Sequence, residues 1–358
     1  MAPEDLKETG LVYVSDSEPG IRRRRTGRSF CYRLPDGSLV RDAAVKARIA
    51  ALGLPPAYEN VWICIEDNGH LQATGYDARG RKQYRYHADW QALKSGDKFD
   101  QLIAFARVLP RIRRAVRRDL DGPPGTADAM LAAITVLLDE AQLRVGNRAY
   151  AEENKTYGAT TLLKRHVSLA DGRIELRFTA KGGKRVRRTL KHPRLQRLLE
   201  DCADLPGRQL FVWKDEANLV RSIDSGRLNA YLADISGTVV SAKTFRTWAG
   251  SLAAFSTARH AVEEGRRPVI KDMAAAAAEI LHNTPAIARS SYIHPEIIAL
   301  ADAPEALRLA LRRPALNIAG LRAEEERLLR FLESRKNAAR RPARRKTPAA
   351  RKAQPASQ

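Results

Sequence analysis

Apolar and polar positions alternate through much of the first ninety residues, and then the period changes. SFCYRLPDGSLV (29–40) places a Pro-Asp-Gly turn between two alternating segments. VWICIEDNGHLQATGYDARGRKQYRYH (61–87) carries two more turn signals, Asp-Asn-Gly and Ala-Arg-Gly. A period of two broken by such turns predicts a small, largely antiparallel β-sheet. The run Arg22–Arg25 stands ahead of it and reads as flexible charge in a polar lead-in. From about Phe99 the spacing becomes helical. FDQLIAFARVLPRIRRAVRRDL (99–120) has an apolar stripe and a basic face, and Pro110 is expected to end or kink that helix. TADAMLAAITVLLDEAQLRVG (126–146) is a strongly apolar helix opened by Thr126 as its cap.

RHVSLADGRIELRFTAKGGKRVRRTL (165–190) breaks the helical region. Its Asp171-Gly172 and Gly182-Gly183 pairs separate three strand-like runs, which predicts a three-stranded meander. The remainder is nearly all helical, including TFRTWAGSLAAFSTARHAV and the alanines 274–278. The expected fold is therefore α+β. A small N-terminal antiparallel sheet domain (1–95) precedes a mainly helical catalytic domain with a β meander (96–335). Beyond Lys336 the chain is Ala, Arg, Lys and Pro without acid, which predicts a disordered basic tail (336–358).

Composition adds a partner. The 358 residues hold 63 Lys and Arg against 41 Asp and Glu, a formal charge of +22. Such a surplus attracts polyanions, nucleic acid first and an anionic membrane surface second. No apolar run approaches the roughly 18 residues of a membrane span, and the acidic N-terminus lacks a signal core. Cys31, Cys64 and Cys202 are too few and too far apart for a disulfide framework, which points to a reducing compartment. Without CxxC or HxxxH spacing, neither a metal nor a cofactor is expected.

The candidate chemistry lies in five short motifs. Arg144 stands in QLRVGNRAY, Lys181 at the FTAKGGK turn, Lys243 and Arg246 in SAKTFRTW, Asn283 in HNTP, and Tyr292 nine residues later. Breaking a DNA strand covalently requires a nucleophile, donors for the charge gathering on the phosphate oxygens, and an acid for the leaving 5′ oxygen. The planar, permanently charged fork of Arg suits the second task, and a Lys on a reachable turn suits the third.

These motifs, in this order, resemble the type IB DNA topoisomerases, in particular their compact poxvirus and bacterial form. Arg144-Val145-Gly146 with Tyr150 is similar to the family's R-[IV]-G-x-x-x-Y. Phe178–Lys181 is similar to F-x-G-K, Lys243–Arg246 to K-x-x-R, and Asn283-Thr284-Pro285 with Tyr292 to [HN]-T-P and its tyrosine. GYDARGRKQYRYH resembles a segment that touches the duplex in relatives, which implies DNA contacts for Gln83, Tyr84 and Tyr86, with Tyr150 as a further one. The resemblance runs from about Leu54 to Tyr292. It implies that Tyr292 attacks and keeps a 3′-phosphotyrosyl link, that Arg144, Arg246 and Asn283 hold the phosphate, that Lys181 is the acid and that Lys243 supports. It also implies ATP-independent religation by a monomer closing on double-stranded DNA as a clamp, cytoplasmic and associated with the nucleoid. Three departures stand out: Ala180 for the usual Gly, which would stiffen the turn; Asn283 for the commoner His, which removes a titrating group; and Asn147 and Ala149 where basic residues are usual.

Taken singly, each residue has a plainer reading. Tyr292, Tyr84 and Tyr86 read as packing, Arg144 as a surface or ion-paired group, and Lys243 with Arg246 as a solvated helix face. Lys181 reads as a basic turn with Lys184 as its rival, Asn283 as a helix cap, and His294 as a surface or capping residue. Two other functions share these features. A tyrosine recombinase has similar Arg, Lys and Tyr logic but typically H-x-x-R at the second Arg. A non-enzymatic basic DNA-binding protein has the same composition.

Overall fold

The computed structural model describes residues 10–27, 29–78, 80–311 and 317–340. The chain divides into two compact units, Met1–Phe99 and Asp100–Gln358. The first is built on strands β1 (Ile21–Thr26), β2 (Ser29–Arg33), β3 (Glu59–Ile63), β4 (Leu71–Tyr76) and β5 (Lys82–Tyr86), with helix α1 (Ala43–Ala51) between β2 and β3. The sheet order is β2-β1-β3-β4-β5 and every neighbouring pair is antiparallel, as the alternation predicts. Ile21, Val61, Ile63 and Ala73 meet Val45 and Ile49 of α1 on one side, and Val14, Trp62, Cys64 and Leu71 cluster separately. Asp42 caps α1 by accepting from the amides of Ala44 and Val45 at 2.7 and 3.0 Å.

The arginine run is not a flexible lead-in. Arg22–Arg25 lies inside β1, paired with β2 over its whole length. Buried Ile21 anchors the strand. Arg23 donates to the carbonyls of Pro55 and Tyr58 at 3.0 and 2.6 Å, with its guanidinium 4.3 Å from the centre of the Phe30 ring. Charge density alone hid a strand whose guanidinium has carbonyls to meet.

Helix α2 runs from Ala88 to Leu120, so the expected division at 95/96 falls inside it. It continues through Pro110, which neither ends it nor starts a new element. Proline removes one backbone donor and crowds the preceding turn, at roughly 3 kcal/mol. The burial of Leu102, Phe105, Leu109 and Ile112 on either side of it works against that cost. Helix α3 (Ala127–Asp139) is buried at every position from Ala129 to Leu138, and Thr126 accepts from the Ala129 amide at 3.4 Å as its cap.

After α4 (Arg148–Asn154) comes the meander β6 (Val167–Ala170), β7 (Arg173–Ala180) and β8 (Lys184–Leu190), in the order β6-β7-β8. Asp171-Gly172 closes the first hairpin between the paired Ala170 and Arg173. Residues 181–183 close the second between Ala180 and Lys184. Ala180 does not stiffen that turn: it is a buried strand residue, and Gly182 and Gly183 supply the positive φ values, +79° and +74°. Next follow α5 (Pro193–Asp201), the ribbon β9 (Val212–Lys214) with β10 (Val220–Ser222), and α6 (Ser225–Ser236).

The site is then assembled by α7 (Ala242–Glu263), α8 (Ile270–Leu281) and α9 (Pro285–Tyr292). Helices α10 (Pro295–Ile298), α11 (Glu305–Leu311) and α12 (Ala323–Arg340) finish the described chain. Residues 336–340 of the expected tail are thus the last turn of α12, and 341–358 lie outside the described residues. No helix among the described residues is long and apolar enough to cross a membrane.

Candidate active site

Arg144 follows α3 on a segment clamped by its neighbours. The Arg144 carbonyl accepts from the Ala159 amide at 2.8 Å, and the Val145 carbonyl from the Thr160 amide at 2.7 Å. The clamp explains the glycines of this stretch. A Cβ on Gly158 would lie 2.5 Å from the Gly146 nitrogen and 2.6 Å from the Arg144 oxygen. Gly146, at φ +105°, would drive one into Thr161. Only bare backbone fits where the two chains cross, and that crossing fixes the root of the Arg144 side chain.

The C-terminus of α8 is the hub. Arg246, buried on α7, donates to the carbonyl of Leu281 at 2.8 Å and to that of Gln142. Arg188 of β8 donates to Ile280 at 2.5 Å. Last-turn carbonyls have no partner within their own helix and carry the negative end of its dipole, so they attract guanidinium groups. The helix ends in a Schellman turn: His282 donates to Glu279 at 3.3 Å and Asn283 to Ala278 at 2.9 Å, with His282 left-handed at φ +47°.

Asn283 is not the cap of the next helix. Thr284 takes that role, accepting from the Ile287 amide at 3.3 Å, with Pro285 in the first turn. The Asn283 side chain is thereby freed to turn inward, where its Oδ1 accepts from Arg144 at 2.5 Å. Its Nδ2 is buried without a partner, as are Nε of Arg246 and Nε2 of His282. Tyr292 closes α9 with its ring centre 5.2 Å from the Arg246 guanidinium carbon, within cation–π range. Gly250 of α7 permits that approach, because a Cβ there would lie 2.8 Å from the Tyr292 carbonyl oxygen and 3.0 Å from its Cβ.

The electrostatics are unbalanced. Burial, reinforced by the charge of Arg144, pulls the Arg246 guanidinium down to about 10, against the opposing charge and hydrogen bond of Tyr292. Burial likewise lowers Arg144. Burial and the cations Arg188, Arg246, Arg144 and Lys184 lower His282. Two guanidiniums, an inward amide and a phenol thus converge, and among the described residues no carboxylate is paired with Arg144 or Arg246.

Both candidate lysines stay outside this cluster. Lys181 is exposed on the β7–β8 loop and Lys243 is exposed in the first turn of α7. Among the described residues neither ammonium has a hydrogen-bond or ion-pair partner. Lys243 and Arg246 therefore part company, one facing solvent and the other buried. His294 caps α10, accepting from the Glu296 amide at 3.1 Å.

Comparison with known proteins matches this architecture. Residues 87–292 fit the family described as eukaryotic DNA topoisomerase I, catalytic core, which covers more than half of the chain and ends at Tyr292. Residues 29–77 fit the bacterial DNA topoisomerase IB N-terminal domain. The chain belongs to the type IB DNA topoisomerases. It is 30% identical over 285 residues to DNA topoisomerase 1B of Acanthamoeba polyphaga mimivirus, covering 76% of this chain and 85% of that protein. It is 24% identical over 124 residues to DNA topoisomerase 1B of Vaccinia virus (strain Copenhagen), 35% of this chain and 39% of that one.

For a type IB topoisomerase the remaining candidates have a clear disposition. Tyr84 and Tyr86 are not half-buried packing: they stand exposed on the edge strand β5, rings stacked with centroids 6.0 Å apart. Gln83 donates to Asp77 at 3.0 Å. Tyr150 is exposed on α4, whose cap is Asn147, accepting from the Tyr150 amide at 3.2 Å. Sequence reasoning missed Gly250, Ser251, Arg188 and His282. Ser251 donates to the Tyr292 carbonyl at 3.2 Å and accepts from the His294 amide at 3.0 Å, tying down the end of α9. A lone glycine four residues after Arg246 within a helical pattern was the available signal for the first two.

Proposed function

We propose that this type IB topoisomerase relaxes supercoiled DNA through Tyr292, with Arg144, Arg246 and Asn283 as the phosphate clamp. The supporting observation is the set of buried donors left without acceptors beside the phenol, Nε of Arg246 and Nδ2 of Asn283. A buried donor without a partner costs about 1–3 kcal/mol, and a non-bridging phosphate oxygen is the acceptor that removes that cost.

In the reading, the Tyr292 oxygen forms a bond to phosphorus and gives its proton to water as the bond to the 5′ oxygen breaks. The five-coordinate phosphorus carries its extra charge on oxygens facing Arg144, Arg246 and Asn283, each donor contributing about 3 kcal/mol. Lys181 gives the leaving oxygen its proton. Because Lys181 is exposed at a loop tip, it acts once the hairpin lies along bound DNA, and Lys243 supports it or the phosphate. The phosphotyrosyl bond conserves the energy of the broken one, so the 5′ hydroxyl returns without ATP after the strand has rotated. Gln83, Tyr84, Tyr86 and Tyr150 contact double-stranded DNA, and a monomer closes on the duplex as a clamp. The same reading puts the protein in the cytoplasm with the nucleoid.

The test is relaxation of a supercoiled plasmid in EDTA without ATP, alongside trapping on a nicked suicide duplex. The expected result is relaxation and a covalent adduct, both abolished by Tyr292→Phe. A recombinase would need its own site on the plasmid, and a simple DNA-binding protein would form no adduct.

A further inference from the structure

His282 combines two unfavourable features that have no structural return in the fold. It holds the left-handed position of the Schellman turn, φ +47° and ψ +49°, where Gly or Asn is the usual occupant. A side chain with a Cβ costs about 1 kcal/mol there. Its Nε2 is also buried without a hydrogen-bond partner, a state that native proteins rarely leave unexplained. Strain and an orphaned polar atom on one residue mark function more often than packing.

The neighbours say which ligand would satisfy it. His282 stands between Leu281, whose carbonyl receives Arg246, and Asn283, whose side chain receives Arg144. The charged groups acting on it are Arg188 and Lys184 from β8, Arg246 from α7 and Arg144 from the segment after α3, all cationic. On its own helix Glu279 acts on Arg188 instead. Burial and four positive charges disfavour the protonated imidazole. An anion entering this space reverses that balance.

We infer that His282 is a further phosphate-facing residue of the active site, which takes up a proton as a DNA phosphate enters and then donates to it through Nε2. The inference rests on the topoisomerase reading and deepens it. Asn283 cannot titrate, so His282 gives this site a charge that appears only when substrate is bound. The free site avoids a fifth cation, and the bound phosphate gains one. Proton and phosphate binding are then reciprocal: each strengthens the other, and duplex affinity rises as pH falls toward 6.5.

Calorimetry of the full-length Tyr292→Phe protein with a duplex oligonucleotide near pH 7, in buffers of different ionisation enthalpy, reads proton uptake directly. Uptake of a fraction of one proton is expected, and Y292F/H282N should lose it. In the otherwise wild-type chain, H282N and H282G should form the suicide adduct about 10- to 100-fold more slowly. Both residues tolerate the left-handed backbone, so neither should melt below wild type. Equal proton uptake with and without the imidazole, or wild-type cleavage rates and pH profiles in both variants, would overturn the inference. Absence of any adduct from the wild-type chain would instead overturn the topoisomerase reading itself.

Discussion

Two arginines in the second unit, Arg113 half-buried and Arg246 buried, are treated in opposite ways. Arg113 of α2 gives its fork to two carboxylates, Asp139 at 2.7 and 3.0 Å and Glu325 at 2.7 Å twice, and its remaining hydrogen to Gly320 at 2.9 Å. Burial would lower its pKa, but the hydrogen bonds it donates to Glu325 and Asp139 more than reverse that. Arg246 lies deeper and meets carbonyls, an aromatic face and a second arginine, and burial wins. The first arrangement is complete as it stands. The second leaves a buried Nε without an acceptor, and under the proposed function a DNA phosphate completes it.

The contrast can be broken in order of effect. Tyr292→Phe leaves both arginines intact and should abolish plasmid relaxation and adduct formation while thermal stability stays at the wild-type value. Arg246→Lys keeps the charge but loses the planar fork. Single-turnover cleavage should fall about 10²-fold with little change in melting temperature, and a rate near wild type would remove Arg246 from the clamp. Glu325→Gln should do the reverse. It strips a buried partner from Arg113, costing about 3 kcal/mol in urea unfolding, while cleavage at low temperature stays within a few-fold.

The smallest effect is in the pH dependence of stability. Burial lowers both His282 and His166 below the ordinary 6.5. Between 6.5 and their folded values the unfolded chain binds more protons, so stability is full above 6.5 and declines as pH falls through that window. Urea midpoints measured from pH 7 down toward the carboxylate range should show the decline, and His282→Asn should make it shallower. A flat profile in the wild-type protein would contradict the burial of these rings.

Much of this was legible in the residues. The period-two alternation gave the sheet and the paired turn residues gave the meander, and of the five motifs those of Arg144, Arg246, Asn283 and Tyr292 come together in the fold while the two lysines stay apart. What stayed hidden depended on tertiary partners. Arg22–Arg25 looked like loose charge because the carbonyls of Pro55 and Tyr58 are more than thirty residues away. Pro110 looked like the end of a helix or a kink in it, and it is not an end; local propensity cannot weigh the burial of Leu109 and Ile112. Tyr84 and Tyr86 looked like packing because alternation shows which residues share a face but not whether anything covers it. Asn283 looked like a cap because spacing could not tell it from Thr284. His282 drew no attention because neither a left-handed backbone nor an unmatched ring nitrogen leaves a trace in composition.

The short helix α9 starts where Thr284 and Pro285 pin it and ends at Tyr292. Each residue in a helix advances about 1.5 Å and turns about 100°. One amino acid gained or lost inside that span would swing the phenol more than a quarter of a circle away from Arg246. Surface loops elsewhere can lengthen or shorten without harm, but the stretch from Asn283 to Tyr292 works as a fixed ruler.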